Sequence, residues 1–378
     1  MVSFFKTDRK DIIFTLAVLI SMVIILSLPD SKYFSREKTE FEARCVVLET
    51  DDTYVFQRGI FKQGEQRVKV RLTTGEDKGK ILDSVNLLQG AVELEWFYKK
   101  GEKAIIGYSK SDGTIVASRL LDPVRIDSLM ILFLLFFITV ILVTGWVGVK
   151  SVLSFVFTLV ILWKLLIPGL LDNRFDPVML TVCLIGILCF IIIFLVAGFT
   201  KKGLIAFLGV ISGFLISWIV LFIFSKQLNI NGTTSGFSTT LRFSGFETLD
   251  LLKLFYASVI ISASGAIMDI AMDISAALCE IKDKKPDITR MGLIKSGINI
   301  GRAVVGTMTT TLLLAYTGTS LTMLMLMAAK GIHISRLLNM NHIVSELLMA
   351  LSGTFALTLV APITAVIAGW VLVGKRQS

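Results

Sequence analysis

Asp269 and Asp273 stand four residues apart inside a long apolar run, Ser262-Ala-Ser-Gly265-Ala-Ile-Met-Asp269-Ile-Ala-Met-Asp273. On a helix that spacing puts both carboxylates on one face. Gly265 and Ala276 continue the same face, and small residues there let a neighbouring helix approach closely. A charged group at the centre of a membrane span costs at least about 2.5 kcal/mol, so two on one stripe are expected to point into a helix bundle. A second polar stripe follows at helical spacing: Asn299, Arg302, Gly306, Thr309 and Leu313, with Gly297 and Gly301 forming a G-x-x-x-G packing signal. Counting from the charged residues that flank each run, Asp273 lies about 13 Å from Lys282 and Arg302 about 10 Å from Lys295. The two charges are therefore expected at one level, on helices joined by a short loop.

Three chemistries suit this set. The aspartates and Arg302 can form a buried ion-pair network that only locks two helices. They can form a proton or cation relay, in which one carboxylate stays paired with Arg302 while the other exchanges protons. They can also line a substrate path. Hydrolysis by a carboxylate pair needs two groups facing one another from different elements, whereas these share one helix. No catalytic residue is assigned, and the chain is not expected to be an enzyme. No phosphate loop or metalloprotease signature occurs. With two histidines in the chain, His333 and His342, no metal or cofactor is expected.

The elements that position these residues follow from composition. Of 378 residues, 54% are hydrophobic and 18% charged, and mean hydropathy is +0.77. A soluble globule carries roughly 45–50% apolar residues and about 25% charged ones, so that class is excluded. Apolar runs long enough to span a bilayer occupy about 12–29, 128–148, 151–170, 178–199, 203–225, 251–279, 297–328 and 343–373. The expected fold is an α-helical polytopic membrane protein of about eight spans. The net charge of +9 reads as topology. Lys6, Arg9, Lys10, Lys150, Lys201, Lys202, Lys282, Lys284, Lys285, Arg290, Lys295, Lys375 and Arg376 all fall on one face of that arrangement. The positive-inside rule then places both termini in the cytoplasm, and no nucleic-acid role is expected. The expected partners are the lipid bilayer, an unidentified substrate or ion, and another membrane protein. The first span lacks an A-x-A-like cleavage site and reads as an uncleaved anchor. Lys164 is expected to snorkel, and His342 with Glu346 to sit at an interface.

Residues 31–125 differ from the rest: charged, alternating and rich in turn signals. Arg44–Glu49, Gln66–Leu72, Ala91–Tyr98 and Ala104–Tyr108 read as strands. A small extracytoplasmic β-barrel or sandwich-like domain is expected. The division is 1–30 as anchor, 31–125 as β domain and 126–378 as a seven-helix membrane domain. Cys45 stands alone in the β domain, and no redox or metal-binding cysteine set exists.

The runs Gly265–Asp273 and Ser296–Met308, followed by Leu312–Tyr316, resemble the YibE/F family of multi-pass bacterial membrane proteins. The resemblance implies the same order: an N-terminal span, a small β-rich segment and seven further spans. A weaker likeness is to the membrane half of SecD and SecF, where an intramembrane Asp precedes a helix with Arg and a Ser/Thr-rich run. By analogy it implies proton coupling. The functional expectation is a transporter or export helper coupled through Asp269, Asp273, Asn299, Arg302 and Thr309, with Gly265, Gly297, Gly301 and Gly306 packing the helices. The alternative is a non-catalytic assembly or scaffold protein that acts through its external β domain.

Overall fold

The computed structural model describes residues 9–29, 41–90, 95–111, 114–234 and 237–373. Part of the third expected strand, and Lys6, Lys375 and Arg376, lie outside the described residues, as does the side chain of Lys10. The described chain forms two compact units, one holding a barrel and the other a helical bundle.

Five strands build the barrel: β1 (Phe41–Arg58), β2 (Phe61–Leu72), β3 (Ile81–Gln89), β4 (Lys103–Ser111) and β5 (Thr114–Pro123). They close in the order β1-β2-β3-β5-β4. Neighbours are antiparallel except β3 and β5, which meet in parallel at Val85 and Arg119. The alternation in β2 behaves as its period requires: Val68, Val70 and Leu72 are buried at 3%, 0% and 1% exposure, between outward Arg67, Lys69 and Arg71. Cys45 is fully buried among them, and burial pushes its thiol up to about 12, so it is an inert core residue.

The barrel differs from the sequence expectation in two ways. β3 and β5 were not anticipated, and the described end of the expected strand at Ala91–Tyr98 is irregular. Residues 95–98 take hydrogen bonds from side chains rather than from a strand. Tyr98 N–H donates to Gln66 Oε1 at 3.1 Å, and Gln66 Nε2 donates to the Tyr98 carbonyl at 2.8 Å. Asn86 Nδ2 donates to Gln66 Oε1 at 3.0 Å and to the Trp96 carbonyl at 2.8 Å. Gln66 and Asn86 are buried, and the Tyr98 ring enters the barrel core. A buried amide is stable only when its partners are present, and here the backbone of 96–98 supplies them.

At the edge of the barrel, Lys110 Nζ and Lys80 Nζ each lie 2.7 Å from an Asp77 oxygen, and Tyr108 OH donates to Asp77 at 3.3 Å. The bond from Lys110, then that from Lys80, holds the Asp77 carboxyl down at about 2.

The helical unit begins with α1 (Arg9–Ser27). α2 (Ile126–Thr144) falls mostly in the unit that holds the barrel, and after it Gly145 at φ 61° ends the helix, because only glycine takes that conformation without strain. Next come α3 (Trp146–Ile161), a π-helical turn at Leu162–Leu166 and α4 (Ile167–Asp172), which run on as one apolar helix. α5 (Pro177–Ala197), α6 (Lys201–Gln227), the short α7 (Ser238–Phe243), α8 (Leu251–Lys284), α9 (Arg290–Thr319), α10 (Leu321–Ala329), α11 (Ile334–Leu337) and α12 (Asn341–Leu372) complete it. Seven of these helices, counting α3 to α4 as one, are long and apolar enough to cross a bilayer. The first expected span forms a shorter apolar helix, Asp11–Ser27.

The expected span 297–328 is divided between α9 and α10, at a Thr-Gly-Thr-Ser sequence of poor helix formers. α8 runs further than expected, to Lys284, where Glu280 and Lys284 pair at 3.1 Å and the lysines suit the helix C-terminus. Thr289 caps α9, so residues 291–296 are its first turns rather than a separate interfacial helix.

Two outcomes are expected. Gln66→Leu strands the buried backbone of Tyr98 and should lower the opening free energy of barrel amides such as Ile106 by about 2–4 kcal/mol, read by hydrogen exchange. A carboxyl held below its ordinary value stabilises above that value and loses the effect as pH falls toward the folded one. With 3.8 as the ordinary value and about 2 in the fold, the advantage of wild type over Asp77→Asn should be flat from about pH 7 to 5 and close between about pH 4 and 2. Pulse proteolysis of the full chain in urea reads it; a constant gap across that range would remove Asp77 from the edge cluster.

Candidate functional site

α8 buries one face along its length: Val259, Ala263, Ile267, Ile270, Ile274 and Leu278. At 3.6 residues per turn, Ser262, Gly265, Asp269 and Asp273 fall on the opposite side, and Ser262, Asp269 and Asp273 are exposed. α9 is far barer. Only Leu293, Gly297 and Gly301 are buried in it, while Val304, Val305, Met308 and Leu312 pack partly against the bundle core. Asn299, Arg302 and Gly306 are exposed, and Thr309 is half-buried.

The bundle-facing side of α9 is selected by its glycines. A Cβ at Gly297 would stand 2.6 Å from Ala365 Cβ and 2.8 Å from Leu278 Cδ1; one at Gly301 would stand 3.0 Å from Ala361 Cβ and 3.4 Å from Ile274 Cδ1. These positions seat α9 against α12 and α8, as the G-x-x-x-G spacing predicts. The same logic joins α6 to α8 and α12, where a Cβ at Gly213 would lie 2.5 Å from both Ile267 and Val360.

The site expected from sequence is thus half assembled. Ile274 lies against Gly301, so their neighbours Asp273 and Arg302 share one level. They do not meet: among the described residues no ion pair or hydrogen bond links Arg302 to Asp269 or Asp273. The expectation that the carboxylates point into the bundle is corrected. They and Arg302 sit on faces turned away from the core, because α8 buries its apolar Val259–Leu278 face and α9 its Gly297–Gly301 face. Gly265 and Gly306, expected to pack helices, have nothing within 4 Å of an added Cβ.

Other polar groups sit where residue spacing offers little sign of them. Lys150, expected in a turn, lies inside α3 at 4% exposure, with Asp11 of α1 3.4 Å away. The two are far apart in sequence, so no spacing rule reveals the pair. Lys164 Nζ donates to the Leu28 carbonyl at 3.1 Å, just past the end of α1. His342 Nδ1 lies 2.8 Å from the Thr234 carbonyl, and Thr234 donates to Ser345 at 2.8 Å, so this histidine pins a loop to α12. At the same end of the bundle, Asp176 caps α5 and meets Lys253 of α8 at 2.7 Å, and that bond holds the Asp176 carboxyl low. The cavity near the start of α12, lined by residues such as Phe224, Asn339 and Leu348, does not include the aspartates. No cluster of metal-ligating side chains occurs among the described residues.

A barrel attached to a bundle of long apolar helices, with an outward Asp/Arg level on two adjacent helices, defines a helix-rich class of protein with one small β unit. Within that class the chain belongs to the YibE/F-like proteins, whose family model matches residues 132–374. The barrel lies outside the matched range. No curated protein and no solved structure matches the chain.

Gly297→Ala is expected to destabilise the full chain by about 1–3 kcal/mol through overpacking against Ala365 and Leu278. The thermal midpoint measures this, and an unchanged midpoint would remove the glycine seam as the determinant of how α9 packs.

Proposed function

We propose that this chain is a multi-pass protein of the cell membrane, a transporter or export helper in which Asp269 and Asp273 take up and release protons or cations. Seven apolar helices of spanning length and the membership in the YibE/F-like proteins support the membrane location. The distribution of lysine and arginine supports cytoplasmic termini, with the barrel on the outer side. In this reading the protein is not an enzyme, binds no nucleic acid, and works with the bilayer, an unidentified substrate or ion and a membrane partner.

One observation carries the coupling role: two carboxylates in the middle of a 34-residue apolar helix have no cation bonded to them among the described residues, although Arg302 stands at their level. Intramembrane carboxylates are costly and usually functional. A pair on one stripe can pass a proton along the helix while Arg302 sets the local potential. Proteoliposomes with an entrapped pH dye and an imposed pH gradient test this. Wild type should dissipate the gradient faster than protein-free vesicles, and Asp273→Asn should fall to the protein-free rate. Equal rates for wild type and Asp273→Asn would take Asp273 out of the mechanism.

A second reading, assembly through the barrel, is favoured by the β1–β2 hairpin. Its end exposes Phe56, Ile60 and Phe61 at 72%, 78% and 47%, next to Arg58. Under that reading, removing the β domain abolishes partner capture, while Asp269→Asn and Asp273→Asn leave it intact.

A further inference from the structure

We propose that two copies of this chain associate side by side through the outward faces of α8 and α9, so that Arg302 of each copy closes on the Asp269–Asp273 stripe of the other. The inference rests on the membrane reading above and deepens it, since the coupling site is then completed only in the pair.

The first argument is charge. In a single chain, Asp269, Asp273 and Arg302 are all exposed, at a depth where lipid offers no hydrogen bonds and charges facing it are strongly disfavoured. One face is anionic and its neighbour cationic. A two-fold contact brings unlike faces together twice, since residue i meets j and j meets i.

The second argument is level. A two-fold axis along the membrane normal keeps every group at its own depth. Only groups at one level within a chain can meet across such an axis. Asp273 and Arg302 satisfy this, because the adjoining Ile274 and Gly301 are in contact.

The third argument is room. Glycine inside a helix is unfavourable relative to alanine, and the chain's inner glycines are explained by close neighbours: added Cβ atoms at Gly213, Gly297 and Gly301 would meet atoms within 2.5–3.0 Å. Gly265 and Gly306, on the outward stripes, meet nothing within 4 Å. A second copy supplies the missing neighbour. α9 also has much to gain, with only three of its thirty residues buried in the single chain.

The test uses full-length copies in membranes, with Cys45, Cys183, Cys189 and Cys279 replaced by serine. One copy carries Asp273→Cys and the other Arg302→Cys. Oxidation should give a reducible dimer when both are co-expressed. A chain carrying both changes that closes an internal disulfide and yields no dimer would overturn the proposal. So would cross-linking of the Arg302→Cys copy to a polypeptide of another mass, or ready labelling of both cysteines by a lipid-soluble maleimide. Because the cysteine-free background could fail to fold, wild type with its native cysteines is also counted in native vesicles by single-molecule photobleaching. Two steps are expected, and single steps overturn the pair. Gly306→Leu should weaken association about tenfold on dilution with lipid. A chain washed out of the membrane by carbonate defeats the membrane reading itself, whereas a chain retained as single copies defeats only the association.

Discussion

The close approach of helices at glycine determines most of the helical unit. α8 and α12 are long, apolar and built of ordinary side chains, and could pack in many rotations. What selects one is the absence of a Cβ at Gly213, Gly297 and Gly301, each set against an alanine, valine, isoleucine or leucine of a facing helix. Such close contact supplies van der Waals attraction between the helices. Once these seams close, the rotation of α8 and α9 is settled, and with it the direction of every polar side chain on them. The outward aspartates and arginine are thus a consequence of where the glycines lie.

The barrel rests on a different kind of constraint. Its apolar core is small, and its interior includes three buried polar side chains, Gln66, Ser84 and Asn86. Gln66 and Asn86 satisfy irregular backbone at residues 96–98, which holds the Tyr98 ring in the core. Such networks specify one arrangement when complete and are costly when broken. The Asp77 cluster does similar work in contact with solvent, where two lysines and a tyrosine meet one carboxylate.

Much of this was legible in the residues. Long apolar runs gave the helices nearly to their ends, because backbone hydrogen bonds and bilayer thickness leave little choice of length. The alternation from Arg67 to Leu72 gave β2 and its buried face. The paired motifs of α8 and α9 carried the family resemblance, and the family match over 132–374 agrees with it. Less legible were β3 and β5. Ile81–Gln89 alternates weakly around Asp83 and Asn86, and Thr114–Pro123 exposes Val116. The segment around Trp96 reads as a strand by composition, yet it hydrogen-bonds to amide side chains that no periodicity reveals.

The sequence by itself determined which residues share a helix face, since 3.6 residues per turn follows from backbone geometry alone. It thereby determined that Asp269 and Asp273 form one stripe, that Asn299, Arg302 and Gly306 form another, and that both lie near one level. Only the tertiary structure decided which way those stripes look. A helix with two unusual faces, one of glycine and one of charge, can bury either. The glycine face wins inside this chain because it lets backbones approach until their side chains touch. The charged face is left at the surface of the single chain.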